Sequence, residues 1–329
     1  MHSATLSIPS LLLLSLACVS AGANAPSAPA STPSIEPVAI AQASTNDEEA
    51  ERDDELVAEL EPVARPHSER LPELDALPDD APLISAEVDI DHYDRSGPSI
   101  TKIPIGASQD EIIVALKGVA GIRHLLLGGT EIVDLVHIAK LDSVQTLMLW
   151  DTPVTSLADI AGYTSLQIVD ISGTGVDDLG PLRNSIHLEK LLANQTNVRK
   201  LDALRDMKEL AVLDLSETPV RDLGPLAKLE ALTVLRLDDT SVRNVRALSS
   251  LHRLEVLSLA NTRVTDISPL LELHNLETLS LRGTPIEDPR GLAELQQLKT
   301  LDLRGTKLSS DEINDLELKM PFTLVLDDG

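Results

Sequence analysis

Apolar residues recur along this chain on two periods at once. Over short stretches they alternate with other residues, as in Leu147-x-Leu149 and Leu257-x-Leu259, the pattern of a strand with one buried face. At longer range the whole pattern returns every 22 residues. Thr130, Thr152, Thr174, Thr196, Thr218, Thr240, Thr262, Thr284 and Thr306 mark that period. Five and three residues before each threonine stands an apolar pair, from Leu125/Leu127 through Leu213/Leu215 to Leu301/Leu303. Two residues after it comes Val, Ile or Leu. No helix or strand has so long a period, so one small unit is stacked many times as a solenoid.

Each unit reads L-x-x-L-x-L-x-x-T-x-V-x-D-L-x-P-L-x-x-L, well displayed from Ala260 to Leu273. In this motif the chain resembles the leucine-rich repeat family, in particular its 22-residue, internalin-like class, over roughly residues 108–326. The ladder position, usually asparagine in that family, is threonine in every repeat here. The expected fold class is therefore an α/β repeat solenoid. It has a parallel β-sheet on its concave face, short 3₁₀ or extended convex returns, and helical end caps.

Strands about 4.7–4.9 Å apart make nine repeats a sheet roughly 40 Å long. A threonine hydroxyl both donates and accepts, and is expected to serve backbone groups of the turn above or below. Prolines at 181, 225 and 269 suit a tight convex return rather than a long helix. Each unit buries its leucines only against neighbours, so both ends need closing. Ser108-Gln109-Asp110-Glu111 reads as a capping box that opens a helix near 109–118. After Leu308 the pattern breaks. A helix from Ser309 or Ser310 through Leu316 is expected, then Pro321 and a last strand over Phe322–Leu326.

The domain reading is a signal peptide over 1–23, a spacer over 24–83, an N-terminal cap region over 84–120, repeats over 121–308 and a C-terminal cap over 309–329. The run Leu11 to Val19 is too short to span a bilayer and is followed by small residues, as in a secretory leader, although Met1 to Ser7 holds no Lys or Arg. Cys18 is the single cysteine. Cleavage after Ala21 or Ala23 removes it. Alternatively Leu14 to Cys18 is a degenerate lipobox, with a lipoprotein signal to residue 17 and lipid on Cys18 as the one link to a membrane. Neither route provides a disulfide framework.

Composition narrows the partners. The formal net charge is −26, and 18 acids against 4 bases fall between Asp47 and Arg95, a solvated spacer's composition. No basic surface exists to neutralise phosphates, so nucleic acid is not expected. Aromatic residues are 1% of the chain, which predicts an aliphatic core.

Candidate chemistry is sparse. No nucleophile elbow, P-loop or His-Glu-x-x-His occurs, and Gly173-Thr174-Gly175 falls on the ladder. His252 and His274 lie one period apart near Glu230 and Gln296, a pairing that repeated surface turns produce by chance. Asn194-Gln195-Thr196 is a sequon whose threonine belongs to the ladder. The reading is a non-enzymatic protein without metal or cofactor.

Binding is the better hypothesis. Residues six, four and two places before each threonine should face outwards on the concave sheet. These columns place Met148 and Trp150 near the N-terminal end, and Asp170, Lys190, Asn194, Asp214, Arg236 and Asp238 towards the middle. Arg282 and Arg304 follow at the C-terminal end, with Glu217 and Asp239 beside the ladder. Exposed tryptophan is enriched at interaction hot spots; the bland alternative is that Trp150 covers the cap junction. Arg199, Arg221 and Arg243 form a second stripe at the sheet's edge. Like charges about 5 Å apart repel unless Asp222 or an anionic ligand lies near. The expected function is an exported, monomeric protein-interaction module, secreted or held in the cell envelope. The alternatives are a glycan or peptidoglycan binder and the regulatory subunit of an enzyme.

Overall fold

The computed structural model describes residues 100–119 and 121–328. The leader, Cys18, the spacer and the start of the expected N-terminal cap region lie outside them. The described chain forms one parallel sheet of eleven strands in sequence order: β1 (Ile100–Lys102), β2 (His124–Leu126), β3 (Thr146–Met148), β4 (Ile168–Asp170), β5 (Lys190–Leu192), β6 (Val212–Asp214), β7 (Val234–Arg236), β8 (Val256–Ser258), β9 (Thr278–Ser280), β10 (Thr300–Asp302) and β11 (Leu324–Leu326). Both ends add a strand to the nine repeats. At usual strand spacing the sheet therefore runs about 48 Å rather than 40 Å.

Register follows the 22-residue period throughout: Leu147 pairs with Val169, Leu213 with Leu235, and Leu257 with Leu279. The inward leucines of every repeat, such as Leu237 and Leu259, are fully buried in one continuous core. Among the described residues, seven convex returns contain a 3₁₀ turn, with Pro181, Pro225 and Pro269 in the first positions of three of them. In these three proline-containing turns the aspartate of the motif starts the turn. Asp222 Oδ1 accepts the Gly224 N–H at 2.9 Å, Asp178 that of Gly180 at 2.8 Å and Asp266 that of Ser268 at 2.9 Å. A short carboxylate satisfies a backbone donor that the turn leaves unpaired.

The ladder works differently from the expectation. Each threonine hydroxyl donates within its own turn, to the carbonyl three residues back: Thr152 to Leu149 at 2.7 Å, Thr218 to Leu215 at 2.6 Å, and Thr240 to Leu237 at 2.7 Å. The cause is the residue before each threonine. Gly129, Asp151, Gly173, Gln195, Glu217, Asp239, Asn261, Gly283 and Gly305 all have φ between 52° and 68°. This left-handed corner turns the threonine inwards onto its own carbonyl. The corner's own N–H carries the bonding between repeats, as when Glu217 donates to Asp238 O at 2.7 Å.

The core is not purely aliphatic. Tyr163 is fully buried, and its hydroxyl donates to the Ile138 carbonyl one repeat earlier. Burial holds that phenol well above its usual pKa. In turn Ser185 Oγ donates to Tyr163 O at 2.8 Å. At the ends, α1 (Gln109–Leu116) and α2 (Ser310–Lys319) each begin with a reciprocal capping box, Ser108 with Glu111 and Ser309 with Glu312. The second helix runs past Leu316, and β11 starts two residues after the expected Phe322.

Candidate functional site

One line of side chains crosses the concave face through direct strand partners: Lys102, Leu126, Met148, Asp170, Leu192, Asp214, Arg236, Ser258, Ser280 and Asp302. These residues occupy the middle column, and from Met148 to Asp302 they are only 1–8% exposed. Strands this close let the flanking columns shade the middle one. The accessible faces belong instead to the half-buried flanking residues Trp150, Lys190, Asn194, Asp238, Arg282 and Arg304, and to the exposed corners Glu217 and Asp239.

Acids of the middle line and of the flanking column beside it serve the sheet itself. Asp170 Oδ1 accepts the Ser172 N–H at 3.0 Å, and Asp214 Oδ1 that of Ser216 at 3.0 Å. Asp238 accepts the Ala260 N–H at 2.8 Å and the Ser258 hydroxyl. Burial nevertheless dominates at Asp170 and Asp238 and raises both carboxyls above their usual range. Lys190 is lowered, chiefly by burial, with Asp170 opposing that shift. Ser172 Oγ donates to Asn194 Oδ1 at 2.5 Å, so the sequon asparagine is tied into the sheet and Thr196 into its ladder.

Charge pairing differs along the face. Arg304 grips Asp302 through Nε at 2.9 Å and Nη2 at 2.8 Å, so the expected basic end is largely neutralised there. Arg236 Nη1 lies 3.6 Å from Asp214, and its buried Nε has no hydrogen-bond partner among the described residues. Lys102 and Asp170 have no ion-pair partner among the described residues.

At the N-terminal end lies a pocket of about 230 Å³ lined by Lys102, Ile103, Ile105, Leu126, Gly128, Met148, Trp150 and Asp170. The sequence placed Met148, Trp150 and Asp170 near one another. It missed Lys102 and Ile105, because β1 carries no ladder threonine to mark its register, and it did not single out Leu126 and Gly128 of the Thr130 repeat. Trp150 covers Gly128 and lines the pocket beside the cap-region residue Ile105, and it is half-buried on the concave side.

The edge stripe is present. Arg199, Arg221 and Arg243 are exposed and form no ion pair among the described residues. Asp222 is not their counter-ion; its carboxylate starts the 3₁₀ turn at Gly224. His252 and His274 are exposed, with His252 Nδ1 3.3 Å from Glu272 O. Among the described residues no group of three or more His, Cys, Asp or Glu is arranged to hold a metal, and no helix is long and apolar enough to cross a membrane.

A threonine-cornered, leucine-filled parallel solenoid with short 3₁₀ returns has the leucine-rich repeat fold, which solved internalin structures share. It is similar to an internalin, InlF, of Listeria monocytogenes, with 24% identity over 68% of this chain and 65% of that one, at a TM-score of 0.60. Internalin C2 of the same organism is 28% identical over 56% of this chain and 81% of its own length, at 0.52. A plant peptide hormone receptor, RGFR1 in complex with RGF2, shares 15% identity over 69% of this chain and 38% of the receptor, at 0.57. The chain thus spans about two-thirds of InlF and far less of the receptor, and what it shares with both is the fold. No family model and no curated protein matches the sequence.

Proposed function

We propose that this chain is an exported, non-enzymatic interaction module that binds a protein partner on its concave face, with the Trp150 pocket as the main anchor. The observation that carries this reading is the chain's single tryptophan, half exposed over an apolar pocket on the concave side. Aromatic anchors in pockets supply most of the energy of many interfaces. The plant receptor of the same fold, seen in complex with a peptide, supports protein partners in general. The leader expected over residues 1–23 and the acidic spacer behind it support export and a module held away from its attachment point. Arg199, Arg221 and Arg243 offer a second contact for an acidic region of the same partner, since no side chain among the described residues compensates them.

The experiment is a crosslinking capture with the full chain as bait beside a Trp150→Ala, Asp238→Arg variant. The native bait should retain a partner that the variant loses. Equal capture by both moves the interface off the concave face, towards the arginine stripe. Capture of cell-envelope glycan without protein would replace the reading with the carbohydrate one.

A further inference from the structure

The pocket has a charge order that goes beyond a generic apolar anchor. Lys102, Leu126, Met148 and Asp170 are successive strand partners in one straight row. A cation stands at one end, a carboxylate at the other, and two apolar side chains lie between them with Trp150 and Ile105 alongside. The two charged ends stand apart from the rest of the line. Asp214 has Arg236 and Asp302 has Arg304, whereas neither Lys102 nor Asp170 meets an opposite charge within ion-pair distance among the described residues. Lys190 acts on Asp170 only from beyond ion-pair distance, so the two charges bracket the apolar stretch without a direct partner among the described residues.

The lengths select the ligand. Three strand spacings separate Lys102 from Asp170, about 14 Å. An extended peptide advances about 3.3–3.6 Å per residue, so residues i and i+4 are about 13–14 Å apart. Residues i, i+2 and i+4 of such a peptide also project to one side. A pocket of about 230 Å³ is smaller than the usual drug or cofactor site and suits a single side chain.

Building on the concave-face reading, we infer that this pocket binds an extended peptide segment whose apolar side chain is flanked, two residues away on either side, by one acidic and one basic residue. The acidic group meets Lys102, the apolar side chain enters beside Trp150 and Met148, and the basic group meets Asp170. The row fixes which charge lies at which end and leaves the chain direction open, so acid-x-apolar-x-base and its reverse both fit.

Trp150, the only tryptophan, reports on the pocket directly through its emission. The full chain is titrated with acetyl-Thr-Glu-Thr-Leu-Thr-Lys-Thr-amide and with three controls: glutamate at both charged positions, lysine at both, and serine in place of leucine. The mixed-charge peptide should shift the emission saturably and bind about tenfold more tightly than either like-charged control, the scale of one well-placed charge pair. Asp170→Asn, which keeps an acceptor for Ser172 N–H, should erase the preference for the mixed-charge peptide over the double-glutamate one. Lys102→Ala should weaken the mixed-charge peptide by about threefold, as for an exposed pair. Equal binding of all leucine peptides overturns the charge order, and the absence of any emission shift overturns the pocket. In either case the concave-face reading stands or falls separately, on whether Trp150→Ala, Asp238→Arg loses the captured protein.

Discussion

The indole of Trp150 occupies the space that a β-carbon on Gly128 would need. The two residues lie on successive repeats, and the glycine forms the bed on which the ring rests at the cap end of the concave face. Gly128→Ala should therefore lift the ring and cost about 1–3 kcal/mol, as overpacking of a close contact does. Urea unfolding gives the cost, and Trp150 emission gives the displacement. Gly162, whose β-carbon would meet open space, is the matched control and should tolerate alanine. Unchanged emission in Gly128→Ala would show that the ring does not lie there.

Thr240 offers a clean test of the ladder, because valine keeps its shape while removing the hydroxyl. The bond at stake runs from Thr240 Oγ1 to Leu237 O at 2.7 Å inside one buried turn. Depriving a buried carbonyl of its donor costs about 1–3 kcal/mol. Thr240→Val should lose that much stability in a urea titration. Truncating the neighbouring core residue, Leu237→Ala, should cost about 2–5 kcal/mol through its cavity. A Thr240→Val protein as stable as the parent would leave the ladder with no energetic role.

Glu217 illustrates the opposite case, a residue at odds with its backbone. It holds φ at 56°, where a β-carbon crowds the following carbonyl, and its exposed side chain gains only a bond from Gln195 Nε2 at 2.9 Å. Gly173, Gly283 and Gly305 occupy the same corner without that cost. Glu217→Gly should raise stability by about 0.5–1 kcal/mol in thermal or urea unfolding. A loss would mean that the Gln195–Glu217 contact outweighs the backbone.

The positions of these corners explain what the sequence did and did not disclose. Strand register, the leucine core and the capping box at Ser108 were legible because each depends on residues close together in the chain or on one repeated pattern, whereas the box at Ser309 was read only as a helix start. The left-handed corner was partly written in Gly129, Asp151, Gly173, Asp239, Asn261, Gly283 and Gly305, residue types that tolerate positive φ. Gln195 and Glu217 obscured it. Without the corner, nothing in the motif could tell whether a threonine bonds its own turn or its neighbour's. Tyr163 was counted as a rare aromatic but not placed in the core, since its partner Ile138 lies 25 residues away. The pocket was half legible: Met148 and Trp150 belong to a full repeat, while Lys102 enters the row only because β1 pairs with β2.

Acid titration should separate two kinds of aspartate by the sign of their effect. Burial raises the Asp238 carboxyl above its ordinary value of 3.8. Between that value and the raised one, the folded chain holds more protons than the unfolded chain, so Asp238 costs stability increasingly as pH rises through this window. Asp288 behaves in the opposite way. Its side-chain and backbone bonds from Arg290 hold it at about 2, so it contributes stability above 3.8 that is lost as pH falls towards 2. Asp238→Asn should therefore be more stable than the parent at neutral pH, with an advantage that shrinks on acidification. Asp288→Asn should be less stable at neutral pH, with a deficit that shrinks only at lower pH. Urea midpoints measured from pH 7 to pH 3 test both variants. Curves that stay parallel to the parent for Asp238→Asn would mean that its carboxyl is hydrated in the folded protein and that the middle of the concave face is open to water.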